Sequence, residues 1–194
     1  AEELAKNYDL YGPVIDKETK QVFFNKVESA SQISLTAEIP AVPPKTVVFP
    51  QIERITKYKY DKVGRKAEIS MTYDDRSKAI FGIRPCDLTG IIVLDRFFLG
   101  QEFVDDVYKE HRKRMFIVSN TCVVPFKQCF CVCTDSGPAA DEGYDLNLTE
   151  IGDMYLVEAG SEKGKAFAEK MGLKAAGDEY IALKKKAVDK SISL

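Results

Sequence analysis

Four of the five cysteines crowd into the stretch 121–133, T-C-V-V-P-F-K-Q-C-F-C-V-C; the fifth, Cys86, stands alone in F-G-I-R-P-C-D. With a single histidine in the chain, sulfur is the only abundant soft ligand. Thiolates select zinc or iron–sulfur centres. Residues of the hydrophobic class make up 45% of the chain, enough for a core that needs no disulfide staples. Metal ligation or thiol redox chemistry is therefore the expected use of these cysteines. Packing as small apolar residues would account for one or two of them, but not for the cluster Cys122–Cys133.

The local spacing is C-x6-C-x-C-x-C over Cys122, Cys129, Cys131 and Cys133. In an extended segment, side chains at i and i+2 point the same way. A straight strand thus cannot wrap the last three cysteines around one centre: either the segment turns or one of them is spare. The spacing matches neither the C-x2-C knuckles of zinc ribbons nor the C-x2-C-x2-C-x3-C-P run of bacterial ferredoxins. A C-x-C pair forms only a strained disulfide, so disulfide exchange through Cys129, Cys131 and Cys133 ranks last. His111 lies in the charged run His111–Arg114 and is expected to be exposed and not a ligand. Arg84 beside Cys86 and Lys127 beside Cys129 could stabilise thiolate charge or be ordinary surface residues.

The elements that must carry these cysteines are legible on both sides. Lys78–Arg84 packs Ala79, Ile80, Phe81 and Ile83 closely, as a buried strand does, and runs into Pro85-Cys86-Asp87. Asp87 is placed to cap a helix over Leu88–Phe98. Phe103–Arg114 reads as a second helix whose basic end suits the negative pole of its dipole. Met115–Ser119 is another buried strand and delivers the chain to Cys122. This β-α-α-β order points to neighbouring parallel strands, with Cys86 and Cys122 at the same end of the sheet.

The rest of the chain frames that unit. Glu2–Tyr8 is expected to be a short helix, and Asp9–Asp16 and Gln21–Val27 a hairpin around the polar turn at Lys17. Pro40, Pro43 and Pro44 make 28–44 an irregular, extended arm, followed by a short strand at Thr46–Pro50. The Lys-, Arg- and Tyr-rich segment Gln51–Lys66 reads as a solvated strand and turn, and Ala67–Tyr73 as a half-buried strand. Asp145–Ile151 and Met154–Glu158 form a hairpin across Gly152-Asp153, and Ser161 caps a helix over Glu162–Met171. The expected class is α/β, with mixed α+β the alternative: a central mixed sheet, flanking helices and peripheral β-hairpins.

Charge and hydropathy exclude several roles. A net charge of −2 with 30% charged residues gives no prior for nucleic acid or an anionic membrane. No apolar run approaches the roughly 20 residues of a membrane span. The opening A-E-E-L-A-K has no basic region followed by an apolar one, so no signal peptide is read there, and a cytoplasmic location is expected. No G-x-G-x-x-G, phosphate loop or general-base pair is present, so no catalytic residue is assigned.

F-G-I-R-P-C-D, then V-L-D-R-F-F-L, then N-T-C, then Q-C-F-C resembles a family of iron–sulfur electron-transfer subunits: the beta subunits of cytoplasmic sulfhydrogenases (hydrogenase/sulfur reductases) and their counterparts in anaerobic sulfite reductase. Tyr11-Gly12-Pro13-Val14, Val42-Pro43-Pro44-Lys45, Gly143-Tyr144-Asp145-Leu146 and Gly160–Gly164 are similar to further landmarks of that family, and the resemblance covers roughly residues 8 to 170. It implies one [4Fe–4S] cluster held by Cys86, Cys122, Cys129 and Cys131, with Cys133 as spare or alternative ligand. It also implies an anaerobic redox complex whose other subunits bind flavin or nicotinamide and carry out catalysis, with ferredoxin a further candidate partner. The alternative is an interaction module around a structural zinc held by four cysteines. Residues 1–178 are read as one globular iron–sulfur domain. Residues 179–194 are read as a terminal element or as linker to a ferredoxin-like domain, which the family carries and this sequence does not contain.

Overall fold

A computed structural model describes residues 1–35, 39–72 and 74–194. Its centre is a six-stranded mixed sheet. The strands in chain order are β1 (Asp9–Ile15), β2 (Val22–Lys26), β5 (Lys78–Ile83), β6 (Met115–Asn120), β7 (Leu146–Ile151) and β8 (Met154–Ala159), while β3 (Thr56–Asp61) and β4 (Lys66–Met71) form a separate two-stranded sheet. The order across the large sheet is β2-β1-β5-β6-β7-β8. Strands β1, β5, β6 and β7 run parallel, and β2 and β8 close the two sides antiparallel. The α/β class with a mixed central sheet is what the sequence led us to expect.

Strands β5 and β6 are buried almost throughout, which is why they read as continuous apolar runs. Their alternation fills both faces. Ile80, Ile83, Met115 and Ile117 pack with Leu88, Ile91 and Tyr108 on one side; Ala79, Phe116 and Val118 pack with Leu4, Leu10, Leu146 and Leu148 on the other. The first face is covered by helices α2 (Lys45–Val48), α3 (Pro85–Leu99) and α4 (Asp106–Lys113). The second is covered by α1 (Glu2–Ala5) and α5 (Glu162–Lys170), with Phe167 tilted against Phe116 at 5.4 Å between ring centroids. A last helix, α6 (Asp178–Ile192), completes the chain. None of the helices among the described residues is long and apolar enough to cross a membrane.

Local chemistry sets the helix starts. Asp105 accepts from the Tyr108 N–H at 2.8 Å and caps α4, and Ser161 accepts from the Gly164 N–H at 3.0 Å and caps α5, as side-chain oxygens do for unpaired first-turn donors. Helix α3 starts differently from expectation. Arg84 is its N-cap and Pro85 its first residue, because proline lacks the N–H that would go unsatisfied there. Asp87 therefore lies within the first turn and not at the cap position.

Other expectations are corrected. Thr46–Pro50 is not a strand: Lys45–Val48 makes a helical turn that buries Val47 and Val48. Strand β4 is exposed throughout, not half-buried; Ile69 and Met71 share with Tyr58 and Tyr60 the uncovered apolar face of the β3–β4 hairpin. Tyr73, placed in that strand from sequence, lies outside the described residues. His111 is buried, not exposed. Its Nε2 lies 2.9 Å from Glu53 and its Nδ1 3.3 Å from the Val48 carbonyl, so it ties α4 to the segment after α2.

Candidate metal centre

Parallel pairing of β5 with β6 brings Cys86 and Cys122 together. Cys86 is the second residue of α3, directly after β5, and Cys122 lies two residues beyond the end of β6. Both thus sit beyond the carboxyl ends of adjacent parallel strands, where sites in open α/β sheets collect. Gly82 prepares this approach. The β5–β6 register shifts between Phe81 and Ile83, and Gly82 adopts φ +80°, a left-handed conformation that glycine takes at no steric cost. The resulting bulge re-aims the chain immediately before Arg84, Pro85 and Cys86.

The segment between Cys122 and Cys133 is not a strand. The Cys129 N–H donates to the Phe126 carbonyl at 2.9 Å, and the Phe126 N–H points back at Cys129 Sγ at 3.4 Å. A 3₁₀ turn then spans Cys131–Thr134 and ends at Asp135 in the left-handed region. With three residues per turn, Cys131 and Cys133 leave the backbone in different directions. Of the two alternatives that the spacing left open, a turn is present. The Cys131 carbonyl anchors it by accepting from the Ser136 N–H at 3.0 Å and the Thr134 hydroxyl at 3.2 Å. A side chain at Gly137 would stand 3.2 Å from Cys131 Sγ, so glycine leaves that sulfur its room.

All five cysteines are free thiols and line one cavity of about 720 Å³. Its walls include Arg84, Pro125, Phe126, Pro138 and the end of α6. Cys122 and Cys131 are partly buried; Cys86, Cys129 and Cys133 lie more open. Although Cys86 is exposed as a residue, desolvation of its thiolate by the surrounding protein pushes the thiol up to about 12, reinforced by the neighbouring charges of Asp87, Cys122 and Cys131. The Cys122 thiol is also raised by burial, against the opposing pull of Arg84 and with smaller contributions from Cys131 and Cys129. A thiol held as high as that of Cys86 stays protonated at neutral pH until a cation displaces the proton.

Arg84 reaches across to Cys122. Its Nη1 donates to Cys122 Sγ at 3.6 Å, while its guanidinium carbon sits 4.7 Å from the centre of the Phe126 ring, within cation–π range. Lys127 lines the same cavity. Gly137-Pro138 is similar to a further landmark of the family named above, but the sequence reading gave no role to Phe126 or to Ser191, which donates to the Cys122 carbonyl at 2.7 Å. Among the described residues, no group of three or more His, Cys, Asp or Glu side chains converges on a point where one metal ion could sit. The cavity nonetheless presents several soft sulfur donors with a cation beside them. Soft sulfur donors of this kind suit zinc or an iron–sulfur centre.

No family model matches this sequence, and no solved structure matches it. A curated relative does: Sulfhydrogenase 2 subunit beta from Pyrococcus furiosus is 33% identical over 158 residues, which is 81% of this chain and 44% of the relative. The chain therefore spans less than half the length of the relative it matches. The similarity read from R-P-C-D, N-T-C and C-F-C is accordingly not confined to short motifs: over most of its length, this chain resembles a sulfhydrogenase beta subunit.

Proposed function

We propose that this chain is an electron-transfer domain of a multi-subunit redox complex of the hydrogenase/sulfur reductase or sulfite reductase type. It holds one [4Fe–4S] cluster through Cys86, Cys122, Cys129 and Cys131, and Cys133 is the spare thiol. The observation that carries this reading is the convergence of all five cysteines on one cavity where β5 and β6 end side by side. The match to a sulfhydrogenase beta subunit supports the type of complex.

The bound cluster would supply a one-electron carrier. The chain's own residues hold and tune it. Arg84 sets a positive charge against Cys122, and the amino end of α3 presents its dipole beside Cys86, both favouring anionic sulfur. Phe126, Pro125 and Pro138 line the cavity with apolar surface that limits water. No side chain is required to make or break bonds, so turnover belongs to partner subunits that bind flavin or nicotinamide and substrate, with ferredoxin as a further candidate partner. A structural zinc held by four of these thiolates is the alternative reading, and metal analysis separates the two.

A serine series tests the ligand set. After anaerobic reconstitution, Cys133→Ser should retain the iron content of the parent, while Cys86→Ser, Cys122→Ser, Cys129→Ser and Cys131→Ser should each lose iron. Equal losses for Cys133→Ser and Cys131→Ser would refute the assignment.

A further inference from the structure

The ligand set uses nothing beyond Cys131, yet the last turn of the chain returns to the cavity. Ser191, near the end of α6, is 4% exposed, and its hydroxyl donates to the Cys122 carbonyl at 2.7 Å. Ile192 and Leu194 line the cavity wall beside it. Cys122 lies beyond the end of β6, so the ladder does not fix it. Its N–H donates to the Pro138 carbonyl at 2.9 Å, and Ser191 secures the carbonyl at its other end.

A second line of contacts ties α6 to the same spot. Lys184 Nζ lies 2.7 Å from both carboxylate oxygens of Glu158, and Glu158 accepts from Asn147 Nδ2 at 2.9 Å. Asn147 Nδ2 also donates to Thr121 Oγ1 at 3.2 Å, and Thr149 Oγ1 lies 2.9 Å from that same oxygen. Thr121, Asn147 and Thr149 are all buried. A continuous polar chain thus runs from the middle of α6 through β8 and β7 to the residue before Cys122. Helix α6 therefore grips the Cys122 loop twice, once from its middle and once from its end.

We propose that α6 is a latch on the cysteine site: Ser191 positions Cys122 through its carbonyl, and the end of the helix lines that side of the cavity. The consequence for metal retention rests on the reading of Cys122 as a ligand; the positioning of its thiol does not. Removing the hydroxyl leaves a carbonyl in this crowded site without its donor, and the lost bond corresponds to about a fivefold change in how often the loop opens.

The test compares alkylation rates of individual cysteines by mass spectrometry at fixed pH in the full, reduced, metal-free chain. Ser191→Ala should raise Cys122 labelling about fivefold and leave Cys86 near the parent rate. Ser193→Ala is the control, because its hydroxyl bonds the Lys190 carbonyl on the same helix; it should change neither. In the iron-loaded chain, Ser191→Ala should speed chelator-driven iron release by a similar factor. Unchanged Cys122 labelling, or an equal rise at all five cysteines, overturns the latch. If Ser191→Ala does not fold, Lys184→Met loosens the same helix from its middle: a Cys122-selective rise supports the latch and its absence refutes it. A parent chain that takes up no iron would sink the cluster reading, while the labelling result still decides the latch.

Discussion

Replacing Arg84 by methionine should lower the reduction potential of the site. Arg84 Nη1 stands 3.6 Å from Cys122 Sγ, and a cation beside a centre that gains an electron favours the reduced state. Coulomb's law at that separation gives about 1 kcal/mol in water and about 4.6 kcal/mol at an effective dielectric of about 20. Arg84 is only half-buried, and an added electron would spread over the whole of the proposed cluster, so the lower part of that range applies. About 1–2 kcal/mol corresponds to about 40–90 mV for a one-electron couple. An anaerobic titration monitored by EPR reads the shift directly. Arg84→Lys should recover most of it, because charge is kept while stacking on Phe126 is weakened. Lys17→Met, in the exposed turn between β1 and β2, should leave the potential unmoved. No shift in Arg84→Met, or an upward one, would refute the assignment of Arg84 as an electrostatic partner of the site.

Two further predictions concern the frame. Gly164→Ala should destabilise the fold by about 2–3 kcal/mol in urea unfolding. Helix propensity favours alanine by about 1 kcal/mol, but a Cβ there would overlap the Asp145 carbonyl oxygen, and that backbone cannot yield cheaply; a stabilised variant would contradict the close packing of α5 on the start of β7. Asp74→Asn should show a pH-dependent loss. Hydrogen bonds from Arg76, then Lys78, hold the Asp74 carboxyl well below the usual carboxylate range. A depressed folded-state value means that the stabilisation is present above the unfolded value of about 3.9 and fades as pH falls below it. The variant should thus be less stable at pH 7 by about 1 kcal/mol or less, given the exposure of Arg76, and the gap should narrow at pH 3. A gap that widens on acidification would show that the carboxylate is not what Arg76 and Lys78 stabilise.

Where sequence carried periodicity, the fold was readable. β5 and β6 announced themselves as unbroken apolar runs, and the helical stretch between them implied parallel pairing; from that alone, Cys86 and Cys122 could be set at one end of the sheet. Thr46–Pro50 failed because a short β-branched run between prolines fits a helical turn as well as a strand when Val47 and Val48 must both be buried. His111 misled because charge neighbours say nothing about a partner 58 positions earlier, Glu53. The destination of Arg84 was similarly hidden: adjacency to Cys86 suggested one thiol, whereas the bulge at Gly82 re-aims the chain and its guanidinium reaches the other. Ser191 gave no signal, since one hydroxyl in a basic helix has the same local pattern whether it meets solvent or a carbonyl 69 positions away.

Cysteines that hold an iron–sulfur cluster bring iron and sulfide with them. Iron, acid-labile sulfide and zinc should be measured together with the visible spectrum on the chain purified without oxygen. A brown protein with about four irons and about four sulfides per chain, as expected of a [4Fe–4S] centre on four thiolates, is the result this account predicts. Stoichiometric zinc with no visible band would contradict it.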